Sequence, residues 1–178
     1  VSKELKVLKS IDIEVTFTGG NGHFGDDRLR SKWWDPILKD AVINSSMIPD
    51  IDYTKRYATL DQTKNTDYEY VIIVPDDPVF ISWADSIKTW RTLQGIRTGV
   101  FTITDVGGNN TNAIENWINN AYNNWTLPPA AVLLMADYGT SGNTIVSPMW
   151  NNYCVSDNIY ADIDNDDLPD IVFARMTA

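Results

Sequence analysis

Hydrophobic and polar positions follow one rhythm before about residue 66 and another after it. Residues 10–18 alternate strictly: Ile11, Ile13, Val15 and Phe17 point one way, and Asp12, Glu14 and Thr16 the other. That pattern predicts a half-buried strand of the antiparallel kind. Asp35-Pro36 then predicts a short helix, with Asp35 as N-cap, Pro36 in the first helical position and Ile37, Leu38, Ala41 and Val42 as the apolar face. Trp33 and Trp34, just before it, are expected to pack on a neighbour. Residues 45–66 are rich in Ser, Asp, Thr and Lys with weak periodicity, and predict a long connector with a short strand over Tyr57–Leu60.

From residue 69 the apolar runs become continuous. Tyr70-Val71-Ile72-Ile73-Val74-Pro75 predicts a strand buried on both faces. Phe80, Trp83, Ala84, Ile87, Trp90 and Leu93 fall at helical spacing and predict a helix whose aromatic stripe enters the core, with Gly95 as its C-terminal stop. Arg97 to Thr104 is the next strand. Asn112 with Glu115 reads as a capping box for a helix carrying Ile114, Trp117, Ile118, Ala121, Tyr122 and Trp125 on one face, stopped by Pro128-Pro129. Ala131 to Ala136 is a third buried strand ending in Asp137, a polar loop covers 138–147, and Ile171 to Met176 is the last strand. Strands alternating with helices predict an α/β fold, a parallel sheet with helices on both faces. The expected division falls between residues 1–66, a β-containing segment and linker, and residues 67–178, one subdomain.

Composition narrows the function classes. With 178 residues, 43% of them hydrophobic, the chain can build one good-sized core. A net charge of −10 and a pI near 4.4 argue against nucleic acid or an anionic membrane surface as partner. No apolar run approaches the length of a membrane span. The single cysteine, Cys154, excludes an internal disulfide. The chain starts at Val1 and ends on a strand-like segment, so a fragment of a longer precursor is expected. Arg28-Leu29-Arg30 and Lys55-Arg56 read as accessible basic sites, open to processing or merely exposed. Gly20-Asn21-Gly22-His23-Phe24-Gly25 matches a dinucleotide fingerprint, but the strand before it is amphipathic and Asp26-Asp27 would stand where a pyrophosphate must sit. It reads as a flexible loop, with the only histidine, His23, solvated in it.

The densest chemistry lies in Asp162-Ile163-Asp164-Asn165-Asp166-Asp167-Leu168-Pro169-Asp170, five carboxylates in nine residues. On an extended loop Asp162, Asp164 and Asp166 point the same way and can converge on one cation, with Asp170 returning after the rigid Leu-Pro step. Hard oxygen donors at that spacing suit calcium. An EF-hand is excluded, because its sixth position is Asp167 rather than Gly and its twelfth Phe173 rather than Glu. The plainer alternative is a solvated acidic turn. Asp137, at the carboxyl end of a parallel strand where open α/β sheets carry ligands, either reaches this loop or caps its own turn.

Residues 69–178 resemble the start of the catalytic domain of gingipain-type cysteine peptidases. The resemblance rests on Glu69–Pro75, Trp90–Thr98, Asn112-Ala113-Ile114, Leu133–Asp137, Ser156-Asp157-Asn158-Ile159-Tyr160, and Asp164–Asp170 running into Ala174–Ala178. It implies a three-layer caspase-like, flavodoxin-like fold, with residues 67–178 as the first, non-catalytic subdomain and residues 1–66 as a β-containing, propeptide-like tail and linker. It implies peptide-bond hydrolysis by a Cys–His pair lying later in the chain, with backbone amides holding the oxyanion. It also implies calcium bound by Asp137, Asp164, Asp166 and Asp170, though some members carry Glu where this chain has Asp170. The implied partners are the remainder of the peptidase domain and protein or peptide substrates, and the implied location is secreted or cell-surface. Neither Cys154 nor His23 matches a catalytic position, so this chain alone is expected to be inactive. A non-enzymatic, calcium-stabilised module of a cell-surface protein, and a flavodoxin-like domain using its aspartates for phosphoryl chemistry, are the competing readings.

Overall fold

Four strands built mostly of Val, Ile, Leu, Phe and Met define the molecule. They are β1 (Tyr70–Val74), β2 (Thr98–Thr102), β3 (Ala131–Met135) and β8 (Val172–Met176). They form one parallel sheet in the order β2-β1-β3-β8. Register is continuous: Ile72 lies opposite Val100 on one side and Leu133 on the other, and Leu133 opposite Ala174. The structure, a computed structural model, describes residues 7, 9–16, 18, 19, 25–61 and 63–177.

Parallel neighbours need crossovers, and here the crossovers are helical. Helix α3 (Pro78–Leu93) joins β1 to β2, and α4 (Thr111–Asn124) joins β2 to β3. Asp77 caps α3 by accepting from Val79 N and Phe80 N, with Pro78 in the first turn, and Gly95 (φ +76°) stops it. The cap of α4 is Asn110, which accepts from Ala113 N, two residues before the expected Asn112. The two helices lie on opposite faces. Val71, Ile73, Phe101, Val132 and Leu134 pack with Ile114, Ile118 and Ala121 of α4; Ile72, Val74, Leu133 and Met135 pack with Ala84, Phe80 and Ile87 of α3. On the α4 face Phe101, Trp117, Trp125 and Tyr68 form a ring cluster, with Phe101 and Trp117 centroids 4.6 Å apart.

Between β3 and β8 the chain makes two small ribbons, β4 (Asp137–Tyr138) with β5 (Thr144–Ile145) and β6 (Met149–Trp150) with β7 (Cys154–Val155). A 3₁₀ turn, Asp157–Ala161, follows and seats Tyr160 and Ala161, both fully buried, on the α4 face. The residues of β8 that face α3's side, Val172, Ala174 and Met176, are exposed. No helix of the described residues is long and apolar enough to cross a membrane.

Several expectations are corrected. Residues 10–16 form no strand, and Ile11, Ile13 and Val15 are exposed, Ile13 at 78%. An alternating segment becomes a strand only where a neighbour takes its hydrogen bonds, and no described strand pairs with it. Phe17 and the loop over 20–24, with His23, lie outside the described residues. The strand expected over Tyr57–Leu60 is instead the end of helix α2 (Tyr53–Ala58), capped by Asp52, which accepts from Lys55 N. Helix α1 (Asp35–Ala41) forms, but Asp35 does not cap it; its carboxylate turns inward to Arg30. The aromatic stripe of α3 does not enter the core: Trp83 is 63% exposed, Trp90 61% and Leu93 79%. The adjacent stripe of Phe80, Ile81, Ala84 and Ile87 faces the sheet instead.

Candidate functional site

The acidic loop precedes β8, so it lies at the amino-terminal end of the parallel sheet. Its backbone is curled rather than extended, with Asn165 (φ +61°) and Asp167 (φ +69°) left-handed. The curl is fixed by its own carboxylates. Asp162 accepts from Asp166 N (3.1 Å) and Asp167 N (3.0 Å), and Asp166 from Leu168 N (2.9 Å). Asp162, Asp164 and Asp166 thereby bring carboxylate oxygens within 4.8 Å of one another. The convergence expected from alternate spacing is present, reached by turns instead of extension. Desolvation, and then the charges of Asp166, Asp170 and Asp162, hold the Asp164 carboxyl above the ordinary carboxylate range. Three oxygen donors at that separation fit a hard divalent cation better than a monovalent one or a soft metal.

Two of the expected ligands stand elsewhere. Asp170 uses one oxygen to accept from Ile163 N at 2.8 Å, and its own N–H donates to Ala161 O. It closes the loop at its base and lies outside the three-carboxylate group. Asp137 follows β3 and pairs with Thr144, so it sits at the carboxyl-terminal end. One strand length, roughly 16 Å, separates the two ends. Reaching across from Asp137 to the acidic loop is therefore not what the fold builds.

The carboxyl-terminal end carries a different device. Arg175 of β8 meets Asp157 in a fork, Nε and a terminal nitrogen each 2.7 Å from a carboxylate oxygen. The same guanidinium donates to Ala136 O (3.0 Å), Ile145 O (3.1 Å) and Ser147 Oγ (2.8 Å). Despite its burial, Asp157 is held below the ordinary carboxylate range by hydrogen bonds from Arg175 and Ser147 and by the Arg175 charge. Asn109 ties the loop after β2 to this end, donating to Thr144 O (2.9 Å) and accepting from Val146 N (2.8 Å). Asp76 accepts from Thr104 Oγ1 (2.8 Å), and Asp77 from Asn143 (2.9 Å). Sequence reasoning missed this network. The available signal was Arg175 itself, an arginine inside an apolar strand segment, where a charge must find partners. Cys154 is exposed on β7.

Comparison with known proteins decides the family. The family model for peptidase family C25 matches residues 63–178, well over half of the chain. The chain belongs to peptidase family C25. Among curated proteins nothing matches. Solved structures similar to this C25 chain include the Arg-specific cysteine proteinase gingipain R, at 21% identity and a TM-score of 0.54, covering 66% of this chain and 26% of that one. A complex of the pro- and mature domains of RgpB from Porphyromonas gingivalis is similar at 22% identity and a TM-score of 0.54, over 62% of this chain and 25% of that one. A further chain, described as a protease, is similar at 20% identity and a TM-score of 0.55, over 68% and 27%. At these identities the likeness is one of fold, and it agrees with the parallel four-stranded α/β sheet expected for a caspase-like domain. This C25 chain spans about a quarter of the length of the structures it matches.

Proposed function

We propose that this chain is the N-terminal, calcium-binding portion of a secreted cysteine endopeptidase resembling the gingipains. Peptide-bond hydrolysis is carried out by a Cys–His pair supplied by residues beyond these, in a second part of the same domain. The observation that carries the reading is the C25 match over 63–178, which coincides with the parallel sheet built from Tyr70 onward. Cys154 is exposed on a two-residue ribbon strand and is assigned no part in the chemistry. Protein and peptide substrates, and the missing part of the domain, are the partners this reading assigns. Residues 1–66 are then the end of a propeptide and its linker.

Calcium belongs to the amino-terminal end. Asp162, Asp164 and Asp166 supply the oxygens, and the turn held by Asp170 keeps them together. The ion supplies charge neutralisation there, drawing the loop together ahead of β8. Thermal unfolding with added calcium and with chelator tests it. Calcium should raise the midpoint, and Asp164→Ala with Asp166→Ala should abolish the increase; equal midpoints with and without chelator would remove the ion from the reading. The peptidase assignment is tested separately, by expressing the parent gene and assaying a peptide library before and after thiol alkylation. Absence of turnover, with no His and Cys pair encoded after Ala178, would favour a non-enzymatic calcium-stabilised module.

A further inference from the structure

We infer that residues 26–60 are an intramolecular brace for the amino-terminal end of the sheet, built to grip the carboxyl ends of α3 and α4 with cations. Three side chains do the gripping. Arg28 donates to Tyr122 O (2.5 Å) and Trp125 O (3.2 Å) in the last turn and cap of α4. Arg56 reaches Thr126 O (3.4 Å), just beyond that helix. Lys32 donates to Gly95 O (2.6 Å), just beyond α3. A helix ends in unsatisfied carbonyls and a partial negative charge, so a cation there satisfies acceptors and opposes the dipole at once. Two helices on opposite faces both end at the amino-terminal end of the sheet, and each is met there by a cation from the same preceding segment, so that segment anchors both layers.

The segment is itself stiffened for the task. Arg56 also donates to the carbonyls of Asp27, Arg28 and Arg30, tying α2 to the turn that carries Arg28. Arg30 is buried and forks onto Asp35 at 3.1 and 2.7 Å while reaching Pro49 O at 2.6 Å. Trp33 Nε1 donates to Glu69, directly before β1. Tyr57 docks at the same carboxylate; burial, and then Glu69, push its hydroxyl well above the ordinary tyrosine range. Of the basic residues that read as accessible processing sites, Arg28, Arg30 and Arg56 are thus engaged with backbone carbonyls.

Every one of these contacts lies at the amino-terminal end. Asp137, Asn109, Asp157 and Arg175 stand at the other end and touch none of the segment's side chains in these contacts. Open α/β sheets bind ligands at the carboxyl ends of their strands, so the brace leaves that end open. Residues 26–60 therefore support the domain without obstructing where substrate would approach. The inference rests on the fold alone, and its readouts are association and exchange rather than activity, so its failure would leave the peptidase reading untouched.

A site-specific protease sequence inserted at Lys64, in the exposed turn of residues 63–65, separates the brace from the sheet. After cutting the otherwise intact chain, the two pieces should co-elute on gel filtration and part only in denaturant. In the Arg28→Ala, Arg56→Ala variant the pieces should separate without denaturant. Amides in the last turn of α4 should exchange about tenfold faster in the uncut variant, as expected from losing hydrogen bonds to a charged donor, while Val146 N, held by Asn109, is unchanged. Pieces that fall apart in the unaltered sequence, or exchange that quickens equally at both ends, would overturn the brace. If the double alanine variant does not fold, Arg28→Lys with Arg56→Lys keeps the charge and loses the fork, and should show the same ordering of the two ends.

Discussion

The two ends of the sheet handle charge in opposite ways. At the carboxyl-terminal end one arginine and one carboxylate form a partly buried, forked pair whose remaining donors all reach protein acceptors. At the amino-terminal end carboxylates are crowded together on the surface, with only backbone N–H groups to receive them. The first arrangement is complete within the protein; the second has oxygens to spare. The difference teaches that a charged cluster in a sequence says little until its counter-charge is located. Arg175 and Asp157 are eighteen residues apart in sequence and meet, whereas Asp162, Asp164 and Asp166 adjoin one another and find their hydrogen-bond donors in the loop's own backbone.

The largest expected effect is at the complete end. Arg175→Ala leaves Asp157 without its partner and strips donors from Ala136 O and Ile145 O. It should cost about 3 kcal/mol of unfolding free energy, measured by urea denaturation; a loss no greater than that of an ordinary surface change would break the contrast between the ends.

Acid should act on the two ends with opposite sign. The folded Asp157 carboxyl lies below its unfolded value, so its contribution is present above the unfolded value, near pH 4, and is lost as pH falls through the folded one. The folded Asp164 carboxyl lies above its unfolded value, so protonation relieves it, and that relief is lost as pH rises through the folded value. Amide protection followed from pH 6 down to 3 should fall at Val146 and hold or rise at Asp166 and Asp167. Parallel changes at both sites would contradict this account.

A smaller effect concerns the crowded end without calcium. There Asp164→Asn should raise the melting midpoint by about 2 °C, because a repelling charge is removed while the hydrogen bonds to Asp162 remain. A decrease would mean that Asp164 is already paired. The smallest effect is expected on α3. Trp83→Glu should change stability by less than about 0.5 kcal/mol, where a core tryptophan would cost about 3–5 kcal/mol on truncation.

That last contrast marks how far the sequence could be read. The two inner strands, β1 and β3, and both long helices were legible because continuous apolar runs and helical spacing reflect burial on both faces of a sheet. The division of labour within α3 was not. Phe80 and Trp83 belong to one apolar arc, and only the position of β1 and β2 decides which of them turns inward. The 10–18 pattern misled for a related reason: alternation specifies a strand's two faces but supplies no partner. At the acidic loop the three converging carboxylates were visible from spacing alone. The placement of Asp137 at the far end followed from strand direction, a property of topology rather than composition. The anchoring arginines, Arg28 and Arg56, looked like surface charge because the helix-end carbonyls they reach lie 70 to 97 residues away, and a carbonyl leaves no mark in a sequence.

The outward tryptophans of α3 have an optical consequence. Trp83 and Trp90 stand in water while Trp125 is buried, so the fluorescence of the isolated chain should combine a long-wavelength component, readily quenched by iodide, with a shielded blue one. Anything that comes to lie along that flank will announce itself by shrinking the first component, to which exposed Trp33, Trp34 and Trp150 also contribute, while leaving the second in place, and no label is needed to see it.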